Sequence, residues 1–349
     1  MVTRSSLLST VRGLSREMML ILVWCAAAVV CVAVLFAGSH TSASRALTAS
    51  GLDAGGELSV VTGRLGESAR FSDVVQIPGT DSVVVVGDDG DEPLFVWRLG
   101  EYGAVDAQPT GVALPAGTRL EDGEGITTDG KFIYVIGSHS LTQDGASRHN
   151  VLLRLRWDGD HLVFAGAITD LQARLEAAFP PVAAARGRTP DQGGLNIEGL
   201  AWDPERQRLL LGLRGPLWNG QPVVVPFRLT VAGQGIDLEW DGAPLPIPGV
   251  EGVGIRALQY DPQLRALLLL TGGVERNVRS ATSGNRFTLW SWAGTADQPA
   301  ARLAAFPETI GGTKIKPEGV CRVTLPNGGS YFLVVSDDAP YYWKLRGRT

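Results

Sequence analysis

The stretch V-V-V-V-G-D-D-G-D-E-P-L-F-V-W-R-L, from Val83 to Leu99, decides the fold, because it returns near the end as F-L-V-V-S-D-D-A-P-Y-Y-W-K-L, from Phe332 to Leu345. In both, a β-branched apolar run ends on acidic turn residues, and a second run rich in aromatics comes after it. That is the signature of a hairpin built on a buried strand. A second pair of similar stretches lies between them: A-W-D-P-E-R-Q-R-L-L-L-G-L, from Ala201, aligns with Q-Y-D-P-Q-L-R-A-L-L-L-L-T, from Gln259. Self-similarity of this kind marks a repeat architecture.

Extended in both directions, the alignments give one unit repeated five times. A short first strand ends in a turn that often carries Asp (Asp129, Asp203, Asp261). A strongly apolar second strand comes next: Ser82–Val86, Phe132–Ile136, Leu209–Leu213, Leu267–Leu270 and Phe332–Val335. The third strand carries aromatic and basic residues, and a weaker fourth leads to the next unit. This predicts an all-β chain folded as a five-bladed β-propeller, with six blades or an irregular propeller as the alternative count. The last unit runs out of chain after Leu345, whereas Glu57–Arg64 is a strand without a unit. Pairing the two would close the ring and remove an exposed edge. One segment breaks the pattern. Thr169 and Gln172 fit a capping box ahead of a short helix, and P-P-V-A-A-A-R-G-R-T-P-D-Q-G-G reads as an irregular loop running up to Leu195.

Composition excludes several classes. Hydrophobic residues make up 44% and charged residues 19% of the 349, which is a folded chain and not a disordered one. A net charge of −5 lacks the basic excess of a nucleic-acid binder. Cys25 and Cys31 lie in an apolar N-terminal run, so Cys321 alone belongs to the folded part. An internal disulfide and a Cys-rich zinc site are therefore excluded.

That apolar run, Met18 to Ala37, holds no charge and is long enough to cross a bilayer as a helix. Arg4, Arg12 and Arg16 precede it, which keeps the N-terminus in the cytoplasm and exports the remainder of the chain. The expected organisation is a cytoplasmic tail (1–17), a transmembrane signal-anchor (18–37), a flexible tether (38–56) and the propeller (57–349). The propeller would stand on the outer side of the cytoplasmic membrane, or be secreted if the small residues after the run direct cleavage.

Glu-Gly pairs open three of the first strands, at Glu124, Glu198 and Glu318. Superposing the units places Arg256 at the same point of the fourth and Asp73 within one residue of it in the first. The ends of second strands bring Ser138, His139, Arg214 and Asp337 to the same face. The result is a mainly acidic ring at one channel mouth, suited to a small ligand or protein partner held by Asp73, Glu124, Ser138, Glu198, Arg214, Arg256, Glu318 and Asp337. Oxygen-only donors at Glu124, Glu198 and Glu318 would suit Ca or Mg. The competing structural reading has each carboxylate accept backbone N–H bonds from the neighbouring blade, while the Gly lets the two backbones approach. In G-S-H-S, Ser138 and Ser140 share one strand face with His139 on the other. His139 would act as a general base, or the tetrapeptide would simply be a polar hairpin end.

The stretches Y-V-I-G-S-H-S, R-H-N-V-L-L-R-L, N-I-E-G-L-A-W-D and K-P-E-G-V resemble, in this order, a bacterial family described as a domain of unknown function, the DUF3616 type. The resemblance runs from about Phe71 to Leu345 and implies a propeller-like fold without assigning an activity. A looser similarity to phytase-like esterase domains implies a metal-assisted hydrolase. The expected roles are three: an exported propeller that binds a ligand or partner, a Ca- or Mg-dependent hydrolase of phosphate or carboxylic esters, and a structural display scaffold.

Overall fold

The computed structural model describes residues 58–61, 71–87, 93–100, 110–158, 161–232, 235–273, 287–306, 309–310, 313–337 and 342–345. All the described residues belong to one compact unit, residues 51–349. The apolar run at 18–37, the tether and the turn acids Asp88 and Asp89 lie outside them. Among the described residues no helix is long and apolar enough to cross a membrane.

The fold is an all-β propeller with few helices. The first strand, β1 (Leu58–Val61), precedes four blades that are each one continuous stretch of chain. The first blade is β2 (Phe71–Gln76), β3 (Ser82–Gly87), β4 (Leu94–Arg98) and β5 (Thr110–Val112). The second is β6 (Gly123–Thr128), β7 (Ile133–Gly137), β8 (Leu152–Trp157) and β9 (Leu162–Ile168). Two helices, α1 (Leu171–Ala178) and α2 (Pro180–Ala184), separate it from β10 (Asn196–Asp203), β11 (Arg208–Trp218), β12 (Gln221–Ala232) and β13 (Gly235–Trp240), with a short β14 (Leu245–Pro246) against β12. The fourth blade is β15 (Gly254–Asp261), β16 (Ala266–Gly272), β17 (Thr288–Trp292) and β18 (Ala301–Ala305). A small hairpin, β19 (Thr309–Ile310) and β20 (Thr313–Lys314), leads to β21 (Pro317–Thr324), β22 (Ser330–Ser336) and β23 (Tyr342–Leu345).

These last three strands form a composite sheet in the order β1-β23-β22-β21, in which Leu58 pairs with Leu345 and Val61 with Tyr342. The orphan N-terminal strand thus takes the edge that the last unit leaves open. The inner strands succeed one another around a ring: β2 lies beside β6, β6 beside β10, β10 beside β15, β15 beside β21, and β21 beside β2.

The second strands are buried because both of their faces meet other blades. Val83 to Val86 and Leu209 to Leu211 are all at most 1% exposed. Trp97 and Trp292, two of the recurrent third-strand tryptophans, are buried between sheets as packing residues.

The insertion is more ordered than its sequence suggests. Leu171, Leu175, Phe179 and Val182 pack onto Ile136 and Leu211, so α1 and α2 cover the seam between the second and third blades. The capping box at Thr169 and Gln172 does not form. Asp170 is the N-cap of α1 and makes no side-chain cap bond, and Gln172 donates to Glu176 instead. The capping box occurs further on, where Thr189 and Gln192 satisfy each other's backbone around a single 3-10 turn. The pairing P-P-V fits the start of α2, since proline costs little at the first helical positions.

Candidate functional site

Every inner strand is irregular at the same point. The pairing to the second strand slips between Phe71 and Asp73, Gly123 and Gly125, Ile197 and Gly199, Ile255 and Ala257, and Pro317 and Gly319. One residue is left out of register each time: Ser72, Glu124, Glu198, Arg256 and Glu318. A bulge of this kind re-aims a side chain. The alignment of Glu124, Glu198, Arg256 and Glu318 therefore has a backbone basis. In the first blade the bulged residue is Ser72, and Asp73 occupies the register position of Gly125, Gly199, Ala257 and Gly319. Asp73 thus stands one residue beyond the position of the glutamates, the offset that the alignment of the units allows.

The glycine after each bulged glutamate marks where the next blade's backbone passes. A Cβ on Gly125 would stand 2.9 Å from the Cβ of Leu200, and one on Gly199 would stand 2.8 Å from the Cβ of Leu258. At Gly319 it would lie 2.5 Å from the Cα of Asp73. The Gly half of the motif is a packing requirement between blades.

The acidic half has a different explanation. Arg256 reaches Glu198 on one side (Nη1 to Oε2, 3.0 Å) and forms an ion pair with Glu318 on the other. Arg214 donates to Glu198 as well (Nη1 to Oε1, 2.7 Å), and the Asn196 amide adds a third donor at 2.9 Å. All of these groups are buried, with Arg256 and Glu318 each 5% exposed. Burial opposes charge on both guanidiniums; at Arg214 the carboxylates of Glu198 and Glu124 outweigh it and the pKa is raised, whereas at Arg256, which Arg214 also repels, they do not and the pKa is lowered. Asp337 lies in the field of Arg256 and is paired with Lys316 at 2.9 Å.

The expected open acidic ring is thus a closed lattice of alternating charge. Calcium or magnesium does not fit it. Among the described residues no group of three or more His, Cys, Asp or Glu side chains is arranged to hold a metal ion. The physical reason is that Glu198 and Glu318 point at guanidinium groups, which occupy the space a cation would need. Glu124 is buried within range of both arginines.

Asp73 behaves as the structural reading required of the glutamates. Its Oδ2 accepts the Ile126 N–H of the neighbouring inner strand at 3.1 Å, and its Oδ1 accepts the Val74 N–H at 2.8 Å. Complete burial raises its pKa well above its ordinary value, and these bonds only partly oppose that.

Ser138 and Ser140 bond to each other (2.9 Å), and the Ser138 hydroxyl accepts the Ser140 N–H at 3.1 Å. Arg148, which pairs with Asp122, stands 3.5 Å from both hydroxyls. The arrangement is that of the polar hairpin end. His139, between them, has φ 53° and is 1% exposed, beneath Leu141, Val182 and Leu195. A general base must reach the proton it takes. His139 is enclosed by these residues, and no such proton donor lies against either of its ring nitrogens.

Neither ring nitrogen of His139 has a hydrogen-bond partner, and burial lowers its pKa to about 3. Below about 6.5 the unfolded chain takes up the proton while the folded chain refuses it, so acid destabilises the fold. The slope approaches about 1.4 kcal/mol per pH unit for one such group. His139→Leu should flatten the acid limb of unfolding free energy between pH 6.5 and 5, measured by urea denaturation. An unchanged slope would show that the imidazole is solvated.

Two features gave no clear signal in the sequence. Asp261 closes its own turn by accepting the Gln263 and Leu264 N–H groups and also binds Arg322 of the next sheet, at 2.8 Å from Oδ2 to Nη2. The Asp-Pro turn was legible, but its cross-blade partner was not. The second feature is a cavity of about 780 Å³ at the other end of the inner strands, bounded by the hairpins that come after them.

The fold and this buried ion-pair lattice define the class: a β-propeller whose inner strands are locked at one end by charge pairs. The family resemblance is shown over residues 189–345, where the model for the family "Protein of unknown function (DUF3616)" matches. The match takes in β10 to β23 and leaves out the Y-V-I-G-S-H-S and R-H-N-V-L-L-R-L motifs, which precede it. No curated protein matches the sequence. Among solved structures, a periplasmic gluconolactonase of Pseudomonas aeruginosa is 17% identical at a TM-score of 0.39, over 76% of this chain and 66% of that one. The GH74 enzyme of Niastella koreensis is 13% identical (TM-score 0.37; 82% of this chain, 47% of the other). The WD40 propeller domain of Doa1 is 11% identical at 0.33, covering 80% and 94%. These likenesses are distant, and the fold assignment rests on the sheet topology.

Proposed function

We infer that this chain is an exported, membrane-anchored five-bladed propeller with a binding role and not a hydrolytic one. In this reading the composite sheet is the fifth blade. Glu198, Arg256 and Glu318 form a clasp that holds the third, fourth and fifth blades at fixed distances. The observation that carries it is Arg256 placed between two buried carboxylates, which uses up the donors a catalytic metal would need. Export and anchoring are supported by the apolar run at 18–37 and the arginines before it. Glu124, Ser138, Arg214 and Asp337 belong to the same end of the ring. There they would shape the platform against which a partner docks.

The test is metal linkage together with turnover. A ligand at a hundred times its Kd adds about 2.7 kcal/mol to the stability of the form it binds. The Tm of the full chain should therefore stay the same with millimolar calcium, magnesium or a chelator, and generic phosphate and acyl esters should not be hydrolysed. A calcium-dependent rise in Tm that Glu198→Gln abolishes, or ester turnover lost in that variant, would restore the metal-dependent hydrolase.

A further inference from the structure

We propose that the cavity at the hairpin end of the ring binds an uncharged saccharide, at a site separate from the Arg256 clasp. The cavity measures about 780 Å³, within the range of about 300–1,000 Å³ usual for small-molecule sites. It is enclosed by the ends of all five inner strands and the turns after them.

Its chemistry is divided between blades. The third and fourth supply Trp202 and Tyr260, half-buried rings at matching positions one residue before Asp203 and Asp261. Rings held in register on neighbouring strands offer flat, rigid, amphipathic surface. A pyranose presents C–H groups to such rings. The first and second blades supply Gln76, Asp81 and Thr128. Hydroxyl groups of a sugar can donate to the Asp81 carboxylate, 44% exposed and only loosely paired to Arg98 at 3.8 Å.

Charge sets the class of sugar. The guanidinium in the lining, that of Arg322, is held by Asp261 at 2.8 Å and bonds the Ser330 hydroxyl at 3.1 Å. It has no charge to spare for a phosphate or uronate. Asp81 and Asp129 lie in the same wall and repel anions. The floor is neutral, with the Thr127 hydroxyl donating to the Gln259 amide oxygen at 3.3 Å. A neutral ring with one apolar face satisfies all these conditions, and a phosphorylated one does not.

The experiment applies the full chain to an array of neutral, phosphorylated and uronate-bearing oligosaccharides, then titrates the retained sugars by tryptophan fluorescence. Neutral glycans should be retained, and their phosphorylated counterparts should bind at least about tenfold more weakly. Trp202→Ala and Tyr260→Ala should each lose about tenfold in affinity, as one aromatic contact commands. Tyr260 is partly exposed, so its variant tests the site even if Trp202→Ala fails to fold. Ser140→Ala, at the opposite end, should bind as the parent does. Retention of no neutral glycan, equal retention of anionic ones, or undiminished binding by Tyr260→Ala would overturn the proposal. None of these outcomes bears on the clasp, which is read from metal linkage and stability.

Discussion

Arg256→Met should lower the stability of the propeller by about 3–5 kcal/mol, the cost of breaking a buried ion pair from one side. The reason is geometric. Arg256 stands between Glu198 and Glu318, and its removal leaves two buried carboxylates facing each other. Arg214 still serves Glu198, so the larger share of the loss should come from Glu318. In a domain of this size the change is a fall in Tm on the order of 10 °C. Adding Glu198→Gln and Glu318→Gln to Arg256→Met should recover part of the loss, since neutral groups of similar size do not need the guanidinium. A calorimetric Tm within error of the parent for Arg256→Met would show that the lattice is solvated and that the clasp does not exist.

Gly319→Ala is the second large effect. The new Cβ would meet the Asp73 Cα at 2.5 Å and the Val335 Cγ2 at 2.6 Å, so the backbones of β21 and β2 must separate. Overpacking a filled core costs about 1–3 kcal/mol, and a backbone obstacle puts this site at the upper end. Gly125→Ala is the comparison, because its nearest obstacle is the Leu200 side chain at 2.9 Å. Denaturant midpoints should therefore rank the parent first, Gly125→Ala next and Gly319→Ala last. The same contact also bears on Asp73. Spreading β2 from β21 would loosen the burial that raises its pKa.

The glutamates could be found from the sequence because the repeat carries them at one offset from the turn. N-I-E-G-L-A-W-D and K-P-E-G-V share a bulge, and a bulge is local enough to leave a recurring dipeptide. Their partners could not be found in the same way. Arg256 appeared as one more member of the ring, aligned with the glutamates, whereas it is the cation that the others surround. Asp73 was one residue out of register, since the first blade bulges at Ser72 and has no Glu-Gly pair to mark the place. His139 looked reactive because Ser, His and Ser are adjacent, but its exposure depends on α1 and α2 folding over it from a segment that reads as a short helix and a loop.

The sequence by itself determined the repeated strands, their order, the pairing of the strand ahead of the first unit with the last one and the Gly positions. All of these come from alternation, turn residues and the lengths between them, which act over a few residues. Only the tertiary structure decided which charges meet. Glu198, Arg256 and Glu318 lie on three successive inner strands, far apart in the chain. Whether such carboxylates face a cavity, a metal or one another's counter-ions depends on how closely the ring draws those strands together. The hairpin-end cavity has the same origin. Its walls are the turns that come after β2, β6, β10, β15 and β21, and no single stretch of chain contains it.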